Sequence, residues 1–181
     1  AWILAAELVL GADRAGEAAD DEPLLAKARQ IHARALTLDT HVDIAGPQYA
    51  TPQLDPGIEQ PRLKCDLVKM VAGGVDGVFL AAFASQQACN AEGYRRADQA
   101  VMERISAIRR LATAMHPDRC ELANTPDDVV RIIAAGKRAI MIGIENGYAL
   151  GTDLSNVARF GDLGVRYITL CHNGHNQICD S

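Results

Sequence analysis

The chain has 181 residues, 49% of them apolar, and its 18 basic against 23 acidic side chains give a formal net charge of −5. That much apolar material can bury one globular core, which excludes a disordered chain. Basic residues gather no more densely than pairs such as Arg95-Arg96 and Arg109-Arg110, so the electrostatic footprint of a nucleic-acid binder is missing and a small-molecule or protein partner is expected.

The opening stretch, Ala1 to Leu10, is apolar apart from Glu7 and is followed by small residues before Asp20-Asp21-Glu22. It has the length of a signal-peptide core and is too short to span a bilayer. Two readings stand: a remnant of an export signal, which implies a periplasmic or secreted protein, or an amphipathic helix on the domain, which leaves a cytoplasmic location as the alternative. Residues 1–22 are therefore set apart from a domain over 23–181.

Pro23 opens a helix in which Leu24, Ala28, Ile31 and Ala35 recur at helical spacing. A first strand is expected over Ala35 to Thr40, running into LTLDTHVDI. His41 and Asp43, two residues apart on an extended chain, share one face. Residues 45–61 hold Pro47, Pro52, Pro56 and Pro61, which predicts a long irregular crossover above a site. A helix follows over Leu63 to Ala72, then Gly73-Gly74 and a second strand over Val75 to Phe83.

A long helix is expected from Glu92 to Met115, stopped by His116-Pro117. Thr125 before Pro126 is an N-cap signal for the next helix, which ends at Gly136. The third strand is Ala139 to Ile144, finishing in Glu145. A short helix, Asp153 to Phe160, leads to a fourth strand, Val165 to Leu170, finishing in Cys171-His172. Strands alternating with helices and written as continuous apolar runs predict a parallel α/β sheet covered by helices. Half of an eight-stranded barrel suits this rhythm better than an open doubly wound sheet.

Three of the four expected strands finish in polar residues suited to metal or catalytic work: His41 and Asp43, Glu145, and His172. In parallel α/β folds the active site lies at the carboxyl ends of the strands, so these residues are expected to converge. Each has an ordinary alternative: a hydrogen-bonded His-x-Asp pair, or a carboxylate complementing a helix dipole. A structural zinc on Cys171, His172, His175 and Cys179 fails on ligand spacing. Gly73 to Gly77 precedes a strand instead of joining strand to helix, which fails the phosphate-loop order. His32 and His116 lie in helical patterns as surface or packing residues. The five cysteines, Cys65, Cys89, Cys120, Cys171 and Cys179, are scattered and odd in number, so they fix no redox compartment.

The stretches LDTHVDI, CDLVKMVAGGVDGVFLAAF and IGIENGYALGTDLSNVARFGDLGVRYITLCHNGHNQICDS, in that order, resemble the membrane (renal) dipeptidases and their bacterial relatives from about Leu36 to Ser181. The resemblance implies a (β/α)₈ TIM-type barrel of metal-dependent hydrolase type with two zinc ions per complete site. His41 and Asp43 would be ligands of the first zinc and Glu145 the carboxylate bridging both. His172, in Cys171-His172-Asn173, would contact substrate and stabilise the tetrahedral intermediate, and Asp66 would be structural. Tyr148 stands where many relatives have His in EGGH and would belong to the substrate-binding residues. Gly174-His175, in place of Cys-Asn, points to a bacterial-type branch.

The implied activity is zinc-dependent hydrolysis of small dipeptides by water activated between the two ions. A homodimer and the absence of a transmembrane helix are further expectations. In this family the remaining zinc histidines, and an acidic residue and an arginine that handle substrate, lie on later strands. The chain is therefore expected to be an amino-terminal portion holding about half of the barrel, weak or inactive by itself. An inactive or repurposed relative that binds or matures a peptide-derived metabolite is the alternative. A deaminase-like barrel would begin with His-x-His, against which Asp43 argues.

Overall fold

The computed structural model describes residues 21–181, so nearly all of the apolar segment expected over 1–22 lies outside the described residues. The chain separates into two units, the first ending at Leu36 and the second running from Thr37 to Ser181. In the first unit, helix α1 (Glu22–His32) carries Glu22 in its opening turn and Arg29 and His32 in its last, the charge order that complements the helix dipole.

The described residues of the second unit form five parallel strands in one sheet: β1 (Leu38–Asp43), β2 (Gly77–Phe83), β3 (Cys120–Leu122), β4 (Arg138–Glu145) and β5 (Val165–Ile168). β4 is the axis of the sheet. β2 pairs with it along one side, while β3 and β5 share its other side, β3 along Arg138 to Ile140 and β5 along Ile142 to Ile144. β1 lies beyond β2.

Alternation of side chains divides the residues of β4 between two faces. On one, Ile140, Ile142 and Ile144, with Val78 and Leu80 of β2, belong to the same core as Val101, Ile105 and Ile108 of helix α3 (Ala91–Arg110). On the other, Ala139 and Met141, with Phe79, pack with Val129 and Ile132 of helix α4 (Pro126–Ala134). Helix α4 thus covers the amino-terminal part of the face that presents Gly143 and Glu145 further along. That face is left for chemistry at the carboxyl ends of the strands.

Local chemistry sets the element ends. Helix α2 (Leu67–Gly73) begins at Leu67, later than the apolar pattern predicts, because Asp66 is its N-cap and accepts from the amides of Val68 and Lys69; Gly74, at φ +67°, closes it in the left-handed conformation. Thr125 and Asp128 form the capping box of α4. Strand β1 runs three residues later than expected, through His41 and Asp43, because its register is set by pairing with β2 and shifts at a bulge between Asp39 and Val42. β3 is unforeseen, being three residues long with no apolar run. Helix α3 ends at Arg110 in a π turn, Leu111–Met115. Helix α5 (Ser155–Asp162) leads into β5.

Residues 45–61 are tied down instead of arching freely above the sheet. Tyr49, Ala50 and Leu54 are buried in the core, and the Arg110 guanidinium donates to the carbonyls of Ala50 and Tyr49 at 2.6 and 2.7 Å. Asp55 meets His116 at 2.7 Å. Among the described residues, no helix is long and apolar enough to cross a membrane.

Asp43 pairs with Ala81, Ala81 with Gly143, and Gly143 with Tyr167, so four strands contribute one residue each at the same level. A β-carbon added at Gly143 would stand 2.1 Å from Cζ of Tyr167; the aromatic ring occupies the space that glycine leaves. Gly143→Ala is therefore expected to displace the ring and to cost about 1–2 kcal/mol of stability, an overpacking penalty, read from urea unfolding curves.

Asp66 yields a second prediction. Burial raises its carboxyl pKa, but hydrogen bonds from Lys69 and from the backbone of Gln60 and Lys69, with the Lys69 charge, outweigh burial and leave it below the ordinary value. A carboxylate whose folded pKa is depressed contributes stability that is present above its unfolded pKa of about 4 and is lost as pH falls through the folded value. Asp66→Asn should cost about 1–2 kcal/mol near pH 7. Unfolding curves at about pH 3 should show a smaller difference from the wild type.

Candidate metal centre

The end of β4 is held by its next residue. Asn146 has φ +81°, a region that asparagine tolerates better than most side chains. Its fully buried amide donates to the Ala84 carbonyl at 3.0 Å and to Gln86 Oε1 at 3.2 Å, and its Oδ1 accepts from the Tyr148 amide at 3.1 Å. The Asn146 backbone amide donates to Thr169 Oγ1 at 2.8 Å. Segments just past β2, β4 and β5 are thereby joined, and Glu145 is fixed between them.

Glu145 projects toward the end of β1. Its Oε2 lies 3.4 Å from Nε2 of His41, and the same nitrogen lies 3.6 Å from Oδ1 of Asp43. Ligand atoms of the three residues all fall within 4.8 Å of one another, and among the described residues this is the one such group of three. Tetrahedral donors at about 2.1 Å from a zinc ion stand about 3.4 Å apart. The nitrogen-to-oxygen spacings match that value, so the donor set fits a divalent cation in both chemistry and separation. Asp43 is open to solvent, with 80% of its side chain exposed, whereas Glu145 keeps only 14%.

His172 completes the cluster from the other side. Its Nε2 lies 3.1 Å from Oε1 of Glu145, and its ring meets that of Phe83 edge-on at 5.0 Å. Phe83 is the register partner of Glu145, so β2 supplies the wall against which the imidazole rests. Ser181 Oγ donates to the His172 carbonyl at 2.9 Å. His41, Asp43, Glu145 and His172 are thus brought together at the carboxyl end of the sheet.

Tyr148 lies apart from these four side chains. It lies in the turn Gly147–Leu150 with no exposed surface, and its hydroxyl donates to the Ala88 carbonyl at 2.7 Å. Its ring tilts against Tyr94 at 5.2 Å. A side chain enclosed in this way packs the core. The cysteine and histidine cluster of the last segment does not assemble as zinc ligands either: Cys171 Sγ donates to the Asp180 carbonyl at 3.4 Å and His175 faces Asp180 at 3.1 Å.

Tyr167 is the site residue that sequence reasoning passes over. Its hydroxyl lies 2.9 Å from Nδ1 of His41. Burial, then the charges of Glu145, Asp43 and Asp39, push its pKa above the ordinary value, so the phenol keeps its proton. Period-two alternation along β5 could have placed Tyr167 on the inner face, but not opposite a glycine.

The membrane dipeptidase family, peptidase family M19, matches residues 25–181. Dipeptidase ataJ of Aspergillus terreus is 29% identical over 177 residues, covering 90% of this chain and 41% of that protein. The probable dipeptidase PvdM from Pseudomonas aeruginosa superposes with a TM-score of 0.79 at 25% identity, over 88% of this chain and 40% of that one. A metallo peptidase from Rhodobacter sphaeroides, solved with a phosphinate mimic of the dipeptide L-Ala-D-Ala, shares the fold at a TM-score of 0.61 and 18% identity, over 77% of this chain and 46% of that one. The chain therefore spans about two fifths of the length of such relatives. Its parallel α/β fold is that of these TIM-barrel-type enzymes. Since the family match runs unbroken from α1 to the last residue, through every strand of the sheet, the chain belongs to the membrane dipeptidase family.

Proposed function

We propose that the protein carrying this chain is a zinc-dependent dipeptidase in which His41 and Asp43 ligate one zinc ion and Glu145 is shared with a second. The observation that carries this reading is the placing of His41 Nε2 at 3.4 and 3.6 Å from two carboxylate oxygens, the separation of donors around a single cation. Glu145 turns its two oxygens in different directions, Oε2 toward His41 and Oε1 toward His172, which suits a carboxylate shared by two ions. When bound, such cations polarise a carbonyl and lower the pKa of water toward neutrality.

The chain's own residues supply orientation. Glu145, mostly buried and clamped by Asn146, keeps its carboxylate at a fixed point. His172, one third exposed and braced by Phe83, is placed to donate a hydrogen bond to a substrate held beside Glu145, where negative charge develops on the attacked carbonyl. A short peptide is the substrate class because the family is one of dipeptidases. The dipeptide mimic bound by the Rhodobacter sphaeroides relative is consistent with that choice.

The test is made on the whole protein with elemental analysis and dipeptide turnover. Glu145→Ala is expected to lower zinc content and to abolish turnover; unchanged zinc in this variant overturns the ligand assignment. His172→Ala is expected to keep its zinc while losing at least about 10-fold in kcat. Zinc bound in full by the wild type without hydrolysis of any dipeptide would instead identify a repurposed relative that binds its ligand.

A further inference from the structure

Resting on that metal-site reading, we propose that Tyr167 is a positioning residue for the cation: its hydroxyl holds Nδ1 of His41 and so aims Nε2 into the centre. The hydroxyl and Nδ1 are 2.9 Å apart, and the two rings lie nearly parallel, at 24° with centroids 6.4 Å apart. An imidazole that gives Nε2 to a cation must carry its proton on Nδ1, and a hydrogen-bond acceptor there fixes both the tautomer and the plane of the ring. The phenol oxygen stands at that position.

Tyr167 is itself held. Its ring fills the space above Gly143, its register partner, and leans on Phe79 at 5.1 Å. The His41 backbone amide donates to Oδ1 of Asp39 at 3.0 Å. The histidine is therefore fixed at its backbone by Asp39 and at its ring by Tyr167, leaving Nε2 facing Asp43 and Glu145. None of the direct ligands is Tyr167, so its removal acts through His41.

Tyr167→Phe keeps the ring and removes only the hydroxyl. On the whole protein, zinc is titrated in competition with a chromophoric chelator, and cobalt substitution reports the ligand field by its visible spectrum. The variant is expected to bind zinc about 10-fold or more weakly than wild type and to show an altered cobalt spectrum, a loss of affinity larger than any shift in its metal-free melting temperature accounts for. A merely structural tyrosine would move the melting temperature and leave the affinity alone.

Equal zinc affinity in the two proteins overturns the role of Tyr167 while leaving the metal centre intact. Absence of zinc binding in the wild type overturns the metal-centre reading and Tyr167's role with it. Should the variant fail to fold, nitrogen-correlated NMR of the zinc-loaded wild type decides: a His41 Nδ1 proton protected from solvent exchange, with a cross-peak to the Tyr167 ring, is expected, and an Nδ1 proton that exchanges freely with solvent overturns the proposal.

Discussion

The pairing of β2 with β4 is the constraint from which the site follows. Seven consecutive pairs, Gly77 with Ala139 through Phe83 with Glu145, run without a shift. Because side chains alternate with period two, this register decides which residues meet α3 and which meet the site. A slip of one residue in β4 would bring Glu145 to the face of Ile140, Ile142 and Ile144, where a carboxylate would be buried among aliphatic groups without a partner. The aliphatic residues thus hold the acid in place by the cost of every alternative.

The same face shows how packing and chemistry share one surface. Near the amino ends of the strands it is closed by Val129 and Ile132 of α4 against Ala139, Met141 and Phe79. One level on, it narrows to Ala81 and Gly143, and the space they leave admits the Tyr167 ring. Another level on, it is Phe83 and Glu145. Apolar packing therefore grades into an aromatic support and then into ionisable groups between Met141 and Glu145. The carboxyl ends can be polar because the lower levels are not asked to be.

Much of this was legible in the sequence, for identifiable reasons. Continuous runs such as Ala139 to Ile144 read as strands because both faces are covered, and a polar residue closing such a run is conspicuous, which singles out Glu145. Thr125-Pro126 marks its helix because the capping box is local. What was not legible depends on partners distant in sequence. β3 exists because Cys120 to Leu122 find the edge of β4, not because three residues favour a strand. Tyr148 is singled out only because it stands where many relatives have His, and its burial after the turn at Asn146 is set by tertiary packing that the motif does not show. Tyr167 is invisible for the opposite reason: its significance lies in a glycine 24 residues earlier and a histidine separated from it by 126.

The choice of a hydroxyl beside His41, where a carboxylate or carbonyl could have stood, has a physical consequence. His41 Nε2 faces the oxygens of Asp43 and Glu145, which only accept, and a proton on Nε2 would satisfy them. Nδ1 then has a lone pair to offer, and the Tyr167 hydroxyl can donate to it. Were Nε2 given to a cation, as proposed, its proton would sit on Nδ1 and the same hydroxyl could accept. A carboxylate would serve only the second state and would add a further negative charge beside Asp43 and Glu145. A phenol kept protonated by burial and by those neighbouring charges serves both. On the proposed reading the imidazole could therefore keep one orientation throughout, and the reorganisation that metal binding would demand of this histidine would shrink to the movement of protons.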